Sequence, residues 1–213
     1  MNLWMVGLAF PLLCLCLFLQ KRQVNEFLRE HDTPPLPDRL SDSVSLAFLA
    51  VGMFLAGQEN LPELLMFSAL LPLLWLDCYQ HWLPLRFTNI FWCTGLLTQL
   101  LPDNSFLSQS PSLALLPAPL PALFSSVLMF CLMWSVWWGL KRHHKREVLG
   151  LGDVHLIGGL FAWLTPASAL YTCGLAFLLM FVVIVINRKP QPLAPFMCLS
   201  LLAVLFTVEF TQI

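Results

Sequence analysis

The 213-residue chain is 58% apolar and only 11% charged, with a formal net charge of −1 and a mean hydropathy of +0.77. A soluble globular domain, typically about 45–50% apolar and about 25% charged, is excluded. Without an excess of Lys and Arg to neutralise phosphates, no nucleic-acid partner is expected.

Apolar runs bounded by charged or turn residues predict helices over 3–19, 44–58, 64–82, 87–102, 117–140, 149–165, 168–187 and 193–210. The fold class is therefore all-α: a single polytopic integral membrane domain over 1–213, with about eight transmembrane helices of roughly 20 residues each. The first run has no basic residue before it and is followed at once by Lys21 and Arg22. That order reads as an uncleaved anchor with its N-terminus outside. Segment 20–43 carries charges of both signs with Pro34, Pro35 and Pro37. It is too short and polar to build a core and reads as a cytoplasmic connector.

Eight spans put both termini outside and turn segments 20–43, 83–86, 141–148 and 188–192 inward. Those segments hold all eleven basic residues, Lys21, Arg22, Arg29, Arg39, Arg86, Lys141, Arg142, Lys145, Arg146, Arg188 and Lys189. The outward segments 59–63, 103–116 and 166–167 hold only Glu59, Glu63 and Asp103 as charges. A miscounted span breaks this separation, so the positive-inside rule supports the topology. Trp82 and the group Trp134, Trp137 and Trp138 fall near the inferred cytoplasmic interface, where amphipathic rings belong. The basic run 141–146 reads as topology-setting and as a contact for anionic lipid. The seven cysteines (Cys14, Cys16, Cys78, Cys93, Cys131, Cys173, Cys198) sit singly with no C-x-x-C pair, which supports neither a disulfide framework nor a zinc site.

Carboxylates within a span cost about 2.5–3.5 kcal/mol each on insertion scales, so they are read as functional first. Asp77 lies near the cytoplasmic end of the third predicted helix and Asp153 near the cytoplasmic start of the sixth. Glu209, four residues from the C-terminus on the opposite side, reads as snorkelling to water. Topology alone brings Asp77 and Asp153 to one depth. Two facing carboxyls cannot both ionise cheaply; one keeps a proton and the other becomes the base. Such a dyad can deprotonate a water for attack on a peptide carbonyl and return the proton to the leaving amine. It titrates as a unit, so acid and base are not assigned to individual residues. No H-E-x-x-H and no G-x-S-x-G offers another route to peptide cleavage. Gly150 and Gly152, just before Asp153, predict backbone conformations closed to other residues and a close approach to an extended substrate strand. Gly158-Gly159 predicts tight helix contact.

These residues resemble the type IV prepilin leader peptidases, the GxGD membrane aspartic peptidases of pilus assembly and type II secretion. That family has an Asp followed by Leu/Ile-Pro and then Thr, matched here by Asp77, Leu83-Pro84 and Thr88. Its G-x-G-D-x-K-L signature is matched by Gly150, Gly152, Asp153 and Leu156, and a Pro-Phe-Gly-Pro-like segment is echoed by Pro192, Leu193, Ala194, Pro195 and Phe196. The resemblance implies Asp77 and Asp153 as the catalytic pair, with Gly150, Gly152 and Pro84 as supporting motif residues. It implies cleavage of the short basic leader of a prepilin or pseudopilin, typically after a Gly, at the cytoplasmic membrane of a bacterium. Many relatives also N-methylate the new terminus with S-adenosylmethionine; the peptidase step itself needs no cofactor.

The chain departs from the family at Leu85, where an Asp is usual, at His155 for Lys, and at Ala194 for Gly. Segment 20–43 lacks the paired cysteines of longer relatives, so no metal is expected, and 20–30 lacks their asparagine-rich signature. His155 reads either as a cation when protonated or as an interfacial His. His81, one turn after Asp77, reads as an interfacial His or a partner of that acid. The alternatives are a transporter or proton-conducting protein using two membrane carboxylates, a GxGD peptidase with another substrate, and a structural pilus-assembly component.

Overall fold

The computed structural model describes residues 3–57, 61–100, 119–145, 149–189 and 191–211. Among these the secondary structure is helical throughout: α1 (Leu3–Glu30), α2 (Asp38–Gly57), α3 (Leu61–Gln80), α4 (Leu85–Thr98), α5 (Pro119–His144), α6 (Leu151–Trp163), α7 (Pro166–Asn187) and α8 (Ala194–Thr211). Each coincides with one predicted apolar run. Among the described residues, four stretches are long and apolar enough to cross a bilayer: Asp38–Ala56, Leu61–Gln80, Leu120–His144 and Pro166–Asn187. Helices α4 and α6, of 14 and 13 residues, rise about 20 Å at 1.5 Å per residue. That is short of the roughly 30 Å hydrocarbon layer.

The expected connector over 20–43 is mostly helix, which corrects its boundaries. Val24, Phe27 and Leu28 are buried while Arg22, Gln23, Glu26, Arg29 and Glu30 are exposed. That three-to-four-residue spacing is an amphipathic helical stripe, so α1 simply continues through the charged stretch. It stops where Asp32 takes a left-handed backbone (φ 52°) ahead of Pro34 and Pro35. The short turn is held by Thr33, whose hydroxyl donates to Leu28 O at 2.7 Å, and by Asn25 Oδ1, which accepts from Leu36 N at 3.0 Å.

Two helices organise the bundle. Helix α3 packs on α1, α2, α4 and α8, and α6 packs on α4, α5 and α7. Helix α4 therefore bridges the two halves. Three side chains fasten it to α6: Trp92 Nε1 donates to His155 O (2.6 Å), Trp163 Nε1 to Phe91 O (2.9 Å) and Gln99 Nε2 to Ala162 O (2.9 Å). Helix α5 adds Ser126 Oγ, which donates to Gly158 O at 2.8 Å. In apolar surroundings such side-chain bonds hold helices that hydrophobicity alone does not drive together. The expected tight contact at Gly158-Gly159 is present. A side chain on Gly158 would meet the Trp92 ring at 2.6 Å and Phe130 Cβ at 3.1 Å, and one on Gly159 would overlap Trp92.

One end of the bundle collects the C-terminal ends of α1, α3, α5 and α7 with the N-terminal ends of α2, α4, α6 and α8. Contacts confirm it: the Phe27 ring lies 5.2 Å from Trp82, and Ala194 N donates to Asp77. All the described basic residues, Lys21, Arg22, Arg29, Arg39, Arg86, Lys141, Arg142, Lys145, Arg188 and Lys189, lie at this end. Arg146, Glu59 and Asp103 fall outside the described residues, as does the side chain of Glu209.

Candidate active site

Asp77 and Asp153 both lie at the basic end, one on the last turn of α3 and the other on the first turn of α6. Asp77 is buried, with 4% of its surface exposed, and Asp153 is half-buried. The two carboxyl groups are near enough that the charge of Asp77 acts on Asp153.

The junction between α3 and α4 sets their approach. Pro84 is buried and caps α4 in an extended conformation (φ −68°, ψ 137°), where its fixed φ suits a helix start. Its carbonyl accepts from Phe87 N at 3.1 Å and Thr88 N at 3.2 Å. Thr88 is fully buried and turns its hydroxyl back to Leu85 O at 3.2 Å. Leu83, just ahead of the proline, is buried against Gly152: a Cβ on Gly152 would stand 2.5 Å from Leu83 Cβ and 2.6 Å from Leu83 O. The turn after one acid thus seats directly on the helix turn that carries the other.

That contact corrects the reading of the two glycines. Gly150 has φ −69° and ψ 137°, a conformation open to any residue, and no described glycine has a positive φ. What the glycines provide is space, filled by the protein itself. A side chain on Gly150 would begin 2.9 Å from Asp153 Oδ2, and the Gly150 amide donates to that carboxyl. Gly152 admits Leu83 rather than a substrate strand.

Asp77 has a partner that sequence reasoning missed. Its Oδ2 accepts a buried 2.7 Å hydrogen bond from the amide of Ala194, the first residue of α8, across 117 positions of sequence. Leu193 N lies in the same set of donors to this carboxyl. Donors at a helix N-terminus, with the helix dipole behind them, suit a carboxylate. The signal was the Pro-Leu-Ala-Pro segment, noticed as a motif echo but given no role. Its buried Leu193 and Ala194 anchor the turn, and Met197 N donates to Leu193 O at 3.0 Å as α8 begins.

The two histidines settle into separate roles. His155 turns away from the acids: its Nδ1 pairs with Leu151 O at 2.9 Å and its ring lies 4.8 Å from that of Phe130 on α5. His81 is exposed and left-handed (φ 52°), its amide donating to Asp77 O at 3.0 Å to end α3. Its ring lies near enough to act electrostatically on the Asp77 carboxyl. Beside it Trp82 packs on Phe27 of α1 and on His31 just past its end (ring centroids 5.2 and 5.0 Å), so the α1 extension forms a rim of the site.

A helical membrane protein with two acids gathered at the positive end of a bundle is the class that this architecture defines. The chain belongs to the type IV leader peptidase family, which matches residues 64–185. That stretch covers α3 to α7 and includes both acids, and membership makes the protein a peptidase. No curated relative and no solved structure matches the chain.

Proposed function

We propose that this protein is an aspartic endopeptidase that removes the short basic leader of prepilin-like substrates at the cytoplasmic membrane surface, with Asp77 and Asp153 as its catalytic pair. The observation that carries this reading is the convergence of the two acids within the family-matched region, through the Leu83–Gly152 contact. The chemistry follows from two carboxyls sharing one proton. The ionised member takes a proton from a water held between them. The water oxygen attacks the scissile carbonyl carbon as the protonated member gives its proton to the carbonyl oxygen. Collapse of the tetrahedral intermediate breaks the C–N bond: the proton taken from water passes to the leaving amine, and one hydroxyl of the intermediate returns its proton to the other carboxylate, so the pair again shares one proton. The Ala194 and Gly150 amides orient the two carboxyls for these transfers.

The location of the basic residues supports a cytoplasmic site by the positive-inside rule. A site where the end of the span-length α3 meets the start of the short α6 suits a substrate whose leader is in water and whose following segment is apolar. The test is cleavage of a prepilin-like substrate with a basic leader and a Gly-Phe junction by membranes carrying wild type, Asp77→Asn or Asp153→Asn. Wild-type cleavage with loss of at least about 10³-fold in either inserted variant, comparable to other essential catalytic groups, is expected. Normal cleavage by both variants overturns the assignment.

A further inference from the structure

Helix α3 stops on a residue whose side chain its backbone does not favour. His81 is left-handed (φ 52°) and its amide donates to Asp77 O at 3.0 Å. This is the bond that closes a helix on a left-handed residue, a position usually given to glycine because it has no Cβ. Helices α1, α5 and α7 are likewise followed by residues of positive φ, Asp32, Lys145 and Arg188. A cation at such a place complements the helix dipole. His81 differs from the other three in what it closes: the carbonyl that accepts its amide belongs to Asp77 itself.

The same turn sets the two side chains against one another. Asp77 is buried, and its Oδ2 accepts from the Ala194 amide at 2.7 Å. His81 is exposed, with its ring near enough for its charge to act on that carboxyl. On the surrounding elements Glu30 of α1 faces Arg86 of α4 at 4.0 Å, and Asp38 of α2 faces Lys21 at 3.9 Å. His31 is bonded through Nδ1 to Phe27 O at 2.9 Å and packs on Trp82, while His155 of α6 turns to Leu151 O. Cys78 of α3, Asp153 of α6 and Cys198 of α8 each interact with Asp77. The groups that meet Asp77 from α6 and α8 are thus acids or thiols, and the cation comes from the turn that ends its own helix.

We propose that His81 is a positioning residue for the dyad: its protonated imidazole, held over the mouth of the site by the left-handed turn, keeps the pair in its singly ionised working form as the pH falls. The proposal rests on Asp77 and Asp153 being the catalytic pair. Histidine is the side chain that ordinarily gains its charge between about pH 5 and 8, so the cation arrives as the pair begins to take up its second proton. A positive charge beside Asp77 favours the ionised carboxylate. The working form therefore persists to lower pH with the cation than without it, and His81 widens the range of activity on its acid side.

The test is the pH dependence of kcat/KM for leader cleavage by the detergent-solubilised full chain at low salt, comparing wild type with His81→Asn, His81→Lys and Asp77→Asn. Asparagine accepts the left-handed turn and carries no charge. In His81→Asn the acid limb is expected to move to higher pH, with cleavage on that limb about threefold below wild type, the effect of two charges several ångströms apart across water. High salt is expected to shrink this difference, because an exposed charge is screened. His81→Lys is expected to return the acid limb to its wild-type place and, being charged throughout, to draw the alkaline limb to lower pH as well. Equal loss at every pH in both variants means that His81 serves only to end α3 and overturns the proposal. So does an acid limb that stays in place in His81→Asn, or one that His81→Lys fails to restore. An inactive Asp77→Asn beside an unshifted His81→Asn overturns this inference alone, whereas normal cleavage by Asp77→Asn overturns the catalytic pair and this inference with it.

Discussion

Helices α6 and α7 are consecutive, both strongly apolar, and joined by a two-residue turn, yet the protein uses them differently. Nine of the 13 residues of α6 are buried, against four of the 22 of α7. Helix α6 is gripped by Trp92 and Gln99 of α4 and by Ser126 of α5. Helix α7 buries Ala169, Thr172, Cys173 and Ala176, and exposes Leu178, Phe181, Val185 and Ile186. Apolarity therefore states that a helix belongs in the membrane but not whether protein or lipid covers it. The helix that protein surrounds is the one that carries an acid.

Four experiments break or sharpen that contrast, the largest effect first. Gly159→Ala puts a methyl group into the Trp92 ring and is expected to cost about 3 kcal/mol, the upper range for overpacking. Gly174→Ala on α7, where a Cβ meets nothing within 4 Å, stays within about 0.5 kcal/mol; thermal unfolding in one detergent compares them. Equal effects dissolve the contrast. Ile157→Ala, at a fully buried site, is expected to cost about 2 kcal/mol. Only the cavity part of the loss operates where lipid is as apolar as the core. Ile186→Ala, at a position 73% exposed, leaves the unfolding midpoint unchanged.

The third experiment moves to the site. Ala194→Pro deletes the amide that donates to Asp77 Oδ2 at 2.7 Å, while Pro remains acceptable at the start of a helix. Cleavage is expected to fall about tenfold, or about 1.4 kcal/mol in the barrier. Ala194→Gly keeps the amide and keeps the rate; parallel loss in both variants assigns the position to packing alone. The smallest effect is Ser126→Ala, which removes a buried bond to Gly158 O and is expected to lower stability by about 0.6 kcal/mol. No change in its unfolding midpoint means that α5 is held on α6 by packing.

Much of the site was readable before the structure because membrane topology constrains depth. Alternating helices and one-sided basic residues placed Asp77 and Asp153 at one end without any coordinates, and Gly158-Gly159 announced a close helix contact. The α1 extension was obscured because its charges read as loop, although the Val24, Phe27 and Leu28 spacing was present. Gly150 and Gly152 were misread because a missing side chain signals either freedom of φ or a neighbour's need for room, and the sequence does not say which. His155 was assignable to either of two environments until Phe130 and Leu151 were seen beside it.

Composition and order, acting through hydropathy and charge, determined by themselves that the chain is helical, membrane-embedded, and bears Asp77 and Asp153 at its positive end. Those properties depend only on how each segment meets lipid or water. The tertiary structure alone decided which apolar helix is wrapped by protein, that Leu83 seats on Gly152, and that the first amide of α8 holds Asp77. Each depends on contact between segments far apart in the chain, at distances of a few ångströms, where one methyl group changes the outcome.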